Sequence, residues 1–164
     1  MRRRVLIAGL AVVAVFAVAC GWSVYQVYEG RAAEAYREQI VETGKRVAVD
    51  LTTIDHLHAE SDVRRVLDSA TGGFYSDFYG RSGSLIDVVK QTKSTSVGTV
   101  TEAGLESVDG DEGRVLVAMS VTTRNFGVAE QPPRYWRMRL TVTKVTDSVT
   151  AKESVKVSKV EFVS

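Results

Sequence analysis

The sequence predicts an α+β domain carried behind an apolar N-terminal span. Three observations lead there. Val5 to Tyr28 reads VLIAGLAVVAVFAVACGWSVYQVY, with no acid or base apart from Cys20 and the tyrosines. From Tyr36 to about Thr92 the apolar residues recur with helical spacing, and beyond Lys93 they alternate as in strands. Helices first and strands afterwards give helices packed on one face of an antiparallel sheet.

At about 1.5 Å per helical residue, the roughly 24 residues of the span reach about 36 Å, enough for a hydrocarbon core of about 30 Å. Val5, Leu6, Ile7, Leu10, Val13 and Phe16 supply its apolar surface. Trp22, Tyr25 and Tyr28 are the amphipathic aromatics of a membrane–water interface. Arg2, Arg3 and Arg4 place the N-terminus in the cytoplasm and the rest of the chain outside. Two other readings compete. Ala17-Val18-Ala19 resembles a signal-peptide cleavage triplet, and with Cys20 it resembles a lipobox, whose cysteine would be acylated. The apolar run continues past Cys20, which favours an uncleaved anchor. The expected organisation is an anchor over residues 1–28, a stalk helix over 29–44 and an α+β domain over 45–164.

Arg2, Arg3 and Arg4 are three of 21 basic side chains, and all 20 acidic ones lie beyond Tyr28, so the outer portion is net −2. That excludes an electrostatic footprint for nucleic acid. Cys20 is the single cysteine, so no intrachain disulfide supports the fold.

Glu29 to Glu42 is rich in Ala, Glu and Arg, good helix formers. It has few apolar residues, so Tyr36, Arg37 and Ile40 are candidates for a partner-facing surface. Tyr36, Ile40, Val47, Leu51 and Ile54 share one helical face, and the helix is expected to run to about His58 with Gly44 dividing stalk from domain. Ser61 is the expected cap of a second helix that carries Val63, Val66, Leu67 and Ala70. A third follows from about Phe74 to Thr92.

Lys93 to Val108 alternates imperfectly, which predicts a bulge. Asp109-Gly110-Asp111-Glu112-Gly113 is a turn. Val115, Val117, Met119 and Val121 form one inward row, and Trp136, Met138, Leu140 and Val142 the next. Phe126 to Pro133 joins them as a loop. Val155 and Val157 have the opposite parity to Val160 and Phe162, so a second bulge is expected near Ser158-Lys159. Four long bulged strands give a strongly curved sheet, whose concave side three helices close into a cone.

The helix Ala48-Val49-Asp50-Leu51-Thr52-Thr53-Ile54-Asp55, the link Asp62 to Phe74 (DVRRVLDSATGGF) and Thr95 to Val100 carry a resemblance over nearly the whole chain. It resembles the Mce-associated membrane proteins of mycobacteria and other actinobacteria (Mce for mammalian cell entry). The most specific pieces are Leu-Thr-Thr-x-Asp and Leu-x-x-Ala-Thr-Gly-x-Phe. The resemblance implies a single-span plasma-membrane protein with a cystatin-like outer domain of the SnoaL or nuclear-transport-factor type. It also implies an accessory role beside Mce lipid-import machinery, whose substrates include fatty acids and sterols. Where relatives often carry a Gly-x-Trp turn, Asp147-Ser148-Val149-Thr150 stands here.

No catalytic, cofactor or metal site is expected. His56 and His58 are two apart and point to different sides of a helix. Cone folds host ketosteroid-isomerase chemistry, and Asp50, Asp55, Asp77, Tyr75 and Tyr79 are the residues to check for it. Phe74, Phe78, Trp136, Met138 and Leu140 could line a lipid-accepting cavity, although core packing alone accounts for such residues. Arg134, Arg137 and Arg139 form a second candidate partner face.

Overall fold

The computed structural model describes Arg31 and residues 33–127, 131–147 and 151–163. The expected membrane span, with its aromatic belt and Cys20, lies outside the described residues. The chain divides between Tyr36 and Arg37, and the account below concerns the domain from Arg37 onward. Its first helix, α1, ends at residue 52. There follow β1 (Ile54–Asp55), α2 (Ala59–Asp68), α3 (Gly72–Thr92), β2 (Thr95–Asp109), β3 (Glu112–Arg124), β4 (Arg134–Thr146) and β5 (Glu153–Phe162). The strands form one antiparallel sheet in the order β1-β2-β3-β4-β5. The α+β class and the three helices stand as expected. The sheet has five strands rather than four, because Ile54 and Asp55 pair with Ser96 and Thr95.

That extra strand exists because α1 stops earlier than His58. Thr52 Oγ1 donates to the Ala48 carbonyl at 2.7 Å, and Thr53 Oγ1 accepts the Gly98 N–H at 3.1 Å. The Asp55 carboxylate accepts the Leu57 N–H at 2.7 Å, a local bond that competes with helix continuation. Helix α2 then begins at Ala59 with His58 at the cap position, not at Ser61. Ser61 Oγ donates back to the His58 carbonyl at 2.8 Å instead.

The inner sheet face is the core. Val115, Val117 and Met119 on β3, Met138, Leu140 and Val142 on β4, and Val157 on β5 are each at most 1 % exposed. Both expected bulges are present. Register shifts fall between Val100 and Glu102 and between Leu105 and Ser107, leaving Thr101 and Glu106 as extra residues in β2. Ser158 is the extra residue in β5, since Thr141 pairs with Lys159 and Val142 with Val157. This brings Val160 and Phe162 onto the same face as Val155 and Val157.

Helix α1 is seated on this face through two glycines. A Cβ at Gly113 would lie 2.7 Å from Ile40 Cδ1, and one at Gly98 would lie 2.7 Å from Thr52 Cβ. Gly44 is therefore a contact position and not a divider: the helix is unbroken there, and its Cα side faces Val115. Ile40 is fully buried and Thr43 nearly so. Residues 37–44, expected as stalk, belong to the domain, and Ile40 is not available to a partner.

The Ala-Thr-Gly link has a plain structural purpose. Thr71 N donates to the Val157 carbonyl at 2.8 Å and Val157 N to the Ser69 carbonyl at 2.9 Å. Gly72 then opens α3 at φ +56°, a conformation that favours glycine.

Replacing Gly98 by alanine should cost about 1–3 kcal/mol, because the methyl overpacks the Thr52 seat. Gly104→Ala, which meets open space, should change stability by less than about 0.5 kcal/mol. Thermal melts followed by near-UV circular dichroism check both.

Candidate functional site

Helix α3 has 21 residues and buries one of them, Val89. Its C-terminal part packs through Leu85, Ile86 and Val89 against Ile54 and Ala59. Its N-terminal part approaches β5 but leaves a gap before the sheet, and a Cβ at Gly73, Gly80 or Gly83 would meet nothing within 4 Å. The gap is an open groove of about 320 Å³. Phe74, Asp77, Phe78 and Arg81 form one wall, Trp136, Met138, Val160 and Phe162 the other, and Leu51 and Thr52 the floor. Phe74 and Phe78 contact each other at 5.8 Å between ring centres. Trp136 meets Phe162 edge-on at 5.6 Å, although Phe162 is 69 % exposed.

Four of the five expected cavity residues thus converge: Phe74, Phe78, Trp136 and Met138. Leu140 does not line the groove; like Met138 it is fully buried in the core. Asp77, considered for isomerase chemistry, also lines the groove; sequence periodicity missed Leu51, Thr52, Arg81, Val160 and Phe162. The parity change in β5 was the available signal for the last two. The groove is of the size and apolar character that binds small ligands. Its two charged side chains, Asp77 and Arg81, come from one helix at i,i+4 and make no ion pair among the described residues.

The residues considered for isomerase chemistry are not gathered. Asp50 accepts Arg65 Nε at 2.8 Å, and Asp55 caps the turn before α2. Tyr75 and Tyr79 stack on each other at 6.0 Å and are exposed. Asp77 alone reaches the groove. His56 Nδ1 lies 3.3 Å from Thr95 Oγ1, while His58 is exposed at the start of α2. Among the described residues no three His, Cys, Asp or Glu side chains are placed to hold a metal.

One buried polar group escaped sequence reasoning. Arg65 reaches Asp50 on α1 and Asp62 on its own helix, each at 2.8 Å, and both carboxylates are nearly buried. Partial burial works against the Arg65 charge, but the bonds and charges of Asp62 and Asp50 outweigh it and raise its pKa. Asp62 Oδ2 also accepts the Asp55 N–H at 2.9 Å, so the cluster ties α1, β1 and α2 together. The i,i+3 spacing of Asp62 and Arg65 was visible in the sequence; the partnership with Asp50 was not.

On the outer sheet face Arg139 grips Glu106 with Nε at 2.7 Å and Nη2 at 2.8 Å. Arg139 is therefore committed within the domain. Arg134 and Arg137 are exposed, and so is Arg37. A hydrogen bond from Arg139 holds Glu106 below the ordinary carboxylate value, and one from Lys159 does the same for Glu161, with help from Arg139 and Arg114. These groups face a wider, polar hollow of about 890 Å³. Its charges largely satisfy one another, so the smaller apolar groove is the better ligand site.

Two outcomes follow. Arg65→Leu leaves two nearly buried carboxylates without their partner and should destabilise the domain by about 1–3 kcal/mol in chemical denaturation. Glu106 and Glu161 have depressed folded-state pKa values, so their stabilisation is in place above pH 4.5 and is lost as pH falls through the depressed values. The double variant Glu106→Gln, Glu161→Gln should accordingly lose less stability than the parent as pH falls below 4.5.

The fold is of the nuclear-transport-factor, or SnoaL-like, type. It is similar to an IcmL-like type IV secretion system protein of Legionella pneumophila, at TM-score 0.61 and 15% identity, over 77% of this chain and 91% of that one. It is also similar to the periplasmic domain of DotI, at TM-score 0.58 and 13% identity, over 76% and 92% of the two chains. CagV, a VirB8 homolog of Helicobacter pylori strain 26695, matches at TM-score 0.53 and 8% identity, over 76% and 96%. At these identities the likeness is one of fold. In sequence the chain is 33% identical over 156 residues to the uncharacterized protein Rv1363c of Mycobacterium tuberculosis (strain ATCC 25618 / H37Rv), covering 95% of this chain. The chain spans 58% of that relative's length. Residues 3–164 match the family described as "Uncharacterized protein Rv1363c/MT1408-like", and the chain belongs to that family.

Proposed function

We propose that this protein is a membrane-anchored, non-enzymatic accessory subunit that binds and stabilises an Mce-type lipid-import complex. The basic N-terminus and the apolar run to Tyr28 support an anchor whose C-terminal domain lies outside the plasma membrane. The resemblance to Mce-associated proteins supports the partner. The observation that carries the reading is α3: a 21-residue helix with one buried side chain. A helix this exposed gains little from its own domain. Tyr75 and Tyr79, 42 % and 62 % exposed and stacked, present a rigid aromatic anchor of the kind found at interface centres.

The test is capture of the full-length chain from native membranes after mild detergent extraction. Transporter subunits should co-purify. Tyr75→Ser with Tyr79→Ser should reduce their recovery at least tenfold while leaving the melting temperature within about 2 °C, since neither side chain is buried. A chain that emerges alone and monomeric overturns the reading.

The groove favours a second reading, a carrier for the apolar part of a lipid. A volume of about 320 Å³ accommodates a short stretch of acyl chain or part of a ring system, not a whole membrane lipid. Native mass spectrometry of the full-length protein should then show a bound lipid that Phe78→Arg removes. An empty protein, or equal retention by that variant, counts against it.

A further inference from the structure

The free edge of the sheet is a separate surface. β1 covers β2 only at Thr95 and Ser96, and Gly98 N bonds to Thr53 Oγ1. From Thr99 to Asp109 no element among the described residues pairs with the outer edge of β2. A strand edge left this way is a template for another strand unless lysine, proline or a covering segment guards it. From Ser94 to Gly113 the sequence contains no lysine, arginine or proline, and it contains five carboxylates: Glu102, Glu106, Asp109, Asp111 and Glu112.

The outer face beside this edge is hollow. Leu116, Ala118 and Gly104 border a shallow concavity of about 600 Å³ at the two bulges. Gly104 pairs with Leu116 and Glu102 with Ala118, so the carboxylate and the apolar floor alternate along one face. Glu102 has no partner among the described residues. Among the described residues, the one basic side chain lining this concavity is Arg137, which stands on β4 at its far side. The two bulges confine regular pairing to short runs, which suits a short strand.

We infer that the free edge of β2 accepts a short, extended, basic segment of a partner protein by strand addition. On its outward face the segment carries a lysine or arginine opposite Glu102 and an apolar residue over Gly104. The backbone groups of Thr99 to Asp109 supply pairing, and the concavity and carboxylates supply selectivity. A second copy of this chain is a poor occupant. Antiparallel self-pairing centred on Gly104 sets Glu102 of each copy against Glu106 of the other, a carboxylate whose Arg139 is already engaged, so Glu102 gains no cation and faces a like charge. The inference does not depend on the membrane or lipid readings.

The test uses full-length protein in nonionic detergent and amide hydrogen exchange across residues 99–109. The probe is the capped peptide Thr-Lys-Thr-Val-Thr-Lys-Thr; the control replaces both lysines by glutamate. The basic peptide should slow exchange in β2 at least tenfold, and the acidic peptide should not. Glu102→Lys should abolish the slowing, and Glu102→Gln should weaken the apparent affinity severalfold with the fold unperturbed by near-UV circular dichroism. Four results overturn the inference: no slowing, equal slowing by both peptides, slowing without peptide that grows with protein concentration, or slowing that anionic lipid alone produces.

Discussion

The closeness of α1 to the sheet is the constraint on which the rest of the domain depends. At Gly98 and Gly113 there is no room for a Cβ, because Thr52 and Ile40 occupy that space. A helix held this near brings Ile40, Val47 and Ala48 onto the valine rows of β3 and β4 and excludes water from both. Ile40 and Val47 each contribute roughly 1.5–3 kcal/mol when fully buried. The seat also fixes the axial position of α1, so that Thr52 and Thr53 bond to β2 and the chain leaves the helix as β1.

The site is a consequence of the same arrangement. With α1 filling the middle of the inner face, α3 packs by its C-terminal half on Ile54 and Ala59 and also contacts β5. Its N-terminal half is tied at the link, where Ser69 and Thr71 bond to Val157. Between those two fixings nothing fills the space, and the aromatic groove results. A tight helix and a loose helix on one sheet divide the labour: the first supplies stability, the second supplies surface.

Charge is arranged by the same division. The Asp50–Arg65–Asp62 cluster lies where α1, β1 and α2 meet, and losing its cation would strand two nearly buried carboxylates. The Lys90–Glu60 pair joins α3 to α2 at the exposed end, where solvent screening leaves such pairs little weight. Glu106 and Arg139 span the outer face between β2 and β4, and among the described residues Glu102 has no such partner beside the open edge.

The sequence by itself determined the α+β class, the inward rows of β3 and β4, and the bulges of β2 and β5. These follow from spacing, since a strand that buries one face must alternate and a parity break must be absorbed by an extra residue. Val160 and Phe162 announced their bulge in that way. Tertiary structure alone decided where α1 ends, that Ile40 is core and not surface, and that Gly44 is a contact. Helical periodicity reports which residues share a face but not what that face meets. Tertiary structure also decided that Leu140 is core while Phe74, Phe78, Trp136 and Met138 share a groove. All five are apolar and inward by pattern. Only the placement of α3 against the sheet, which no local spacing encodes, separates the four that reach the groove from the one that does not.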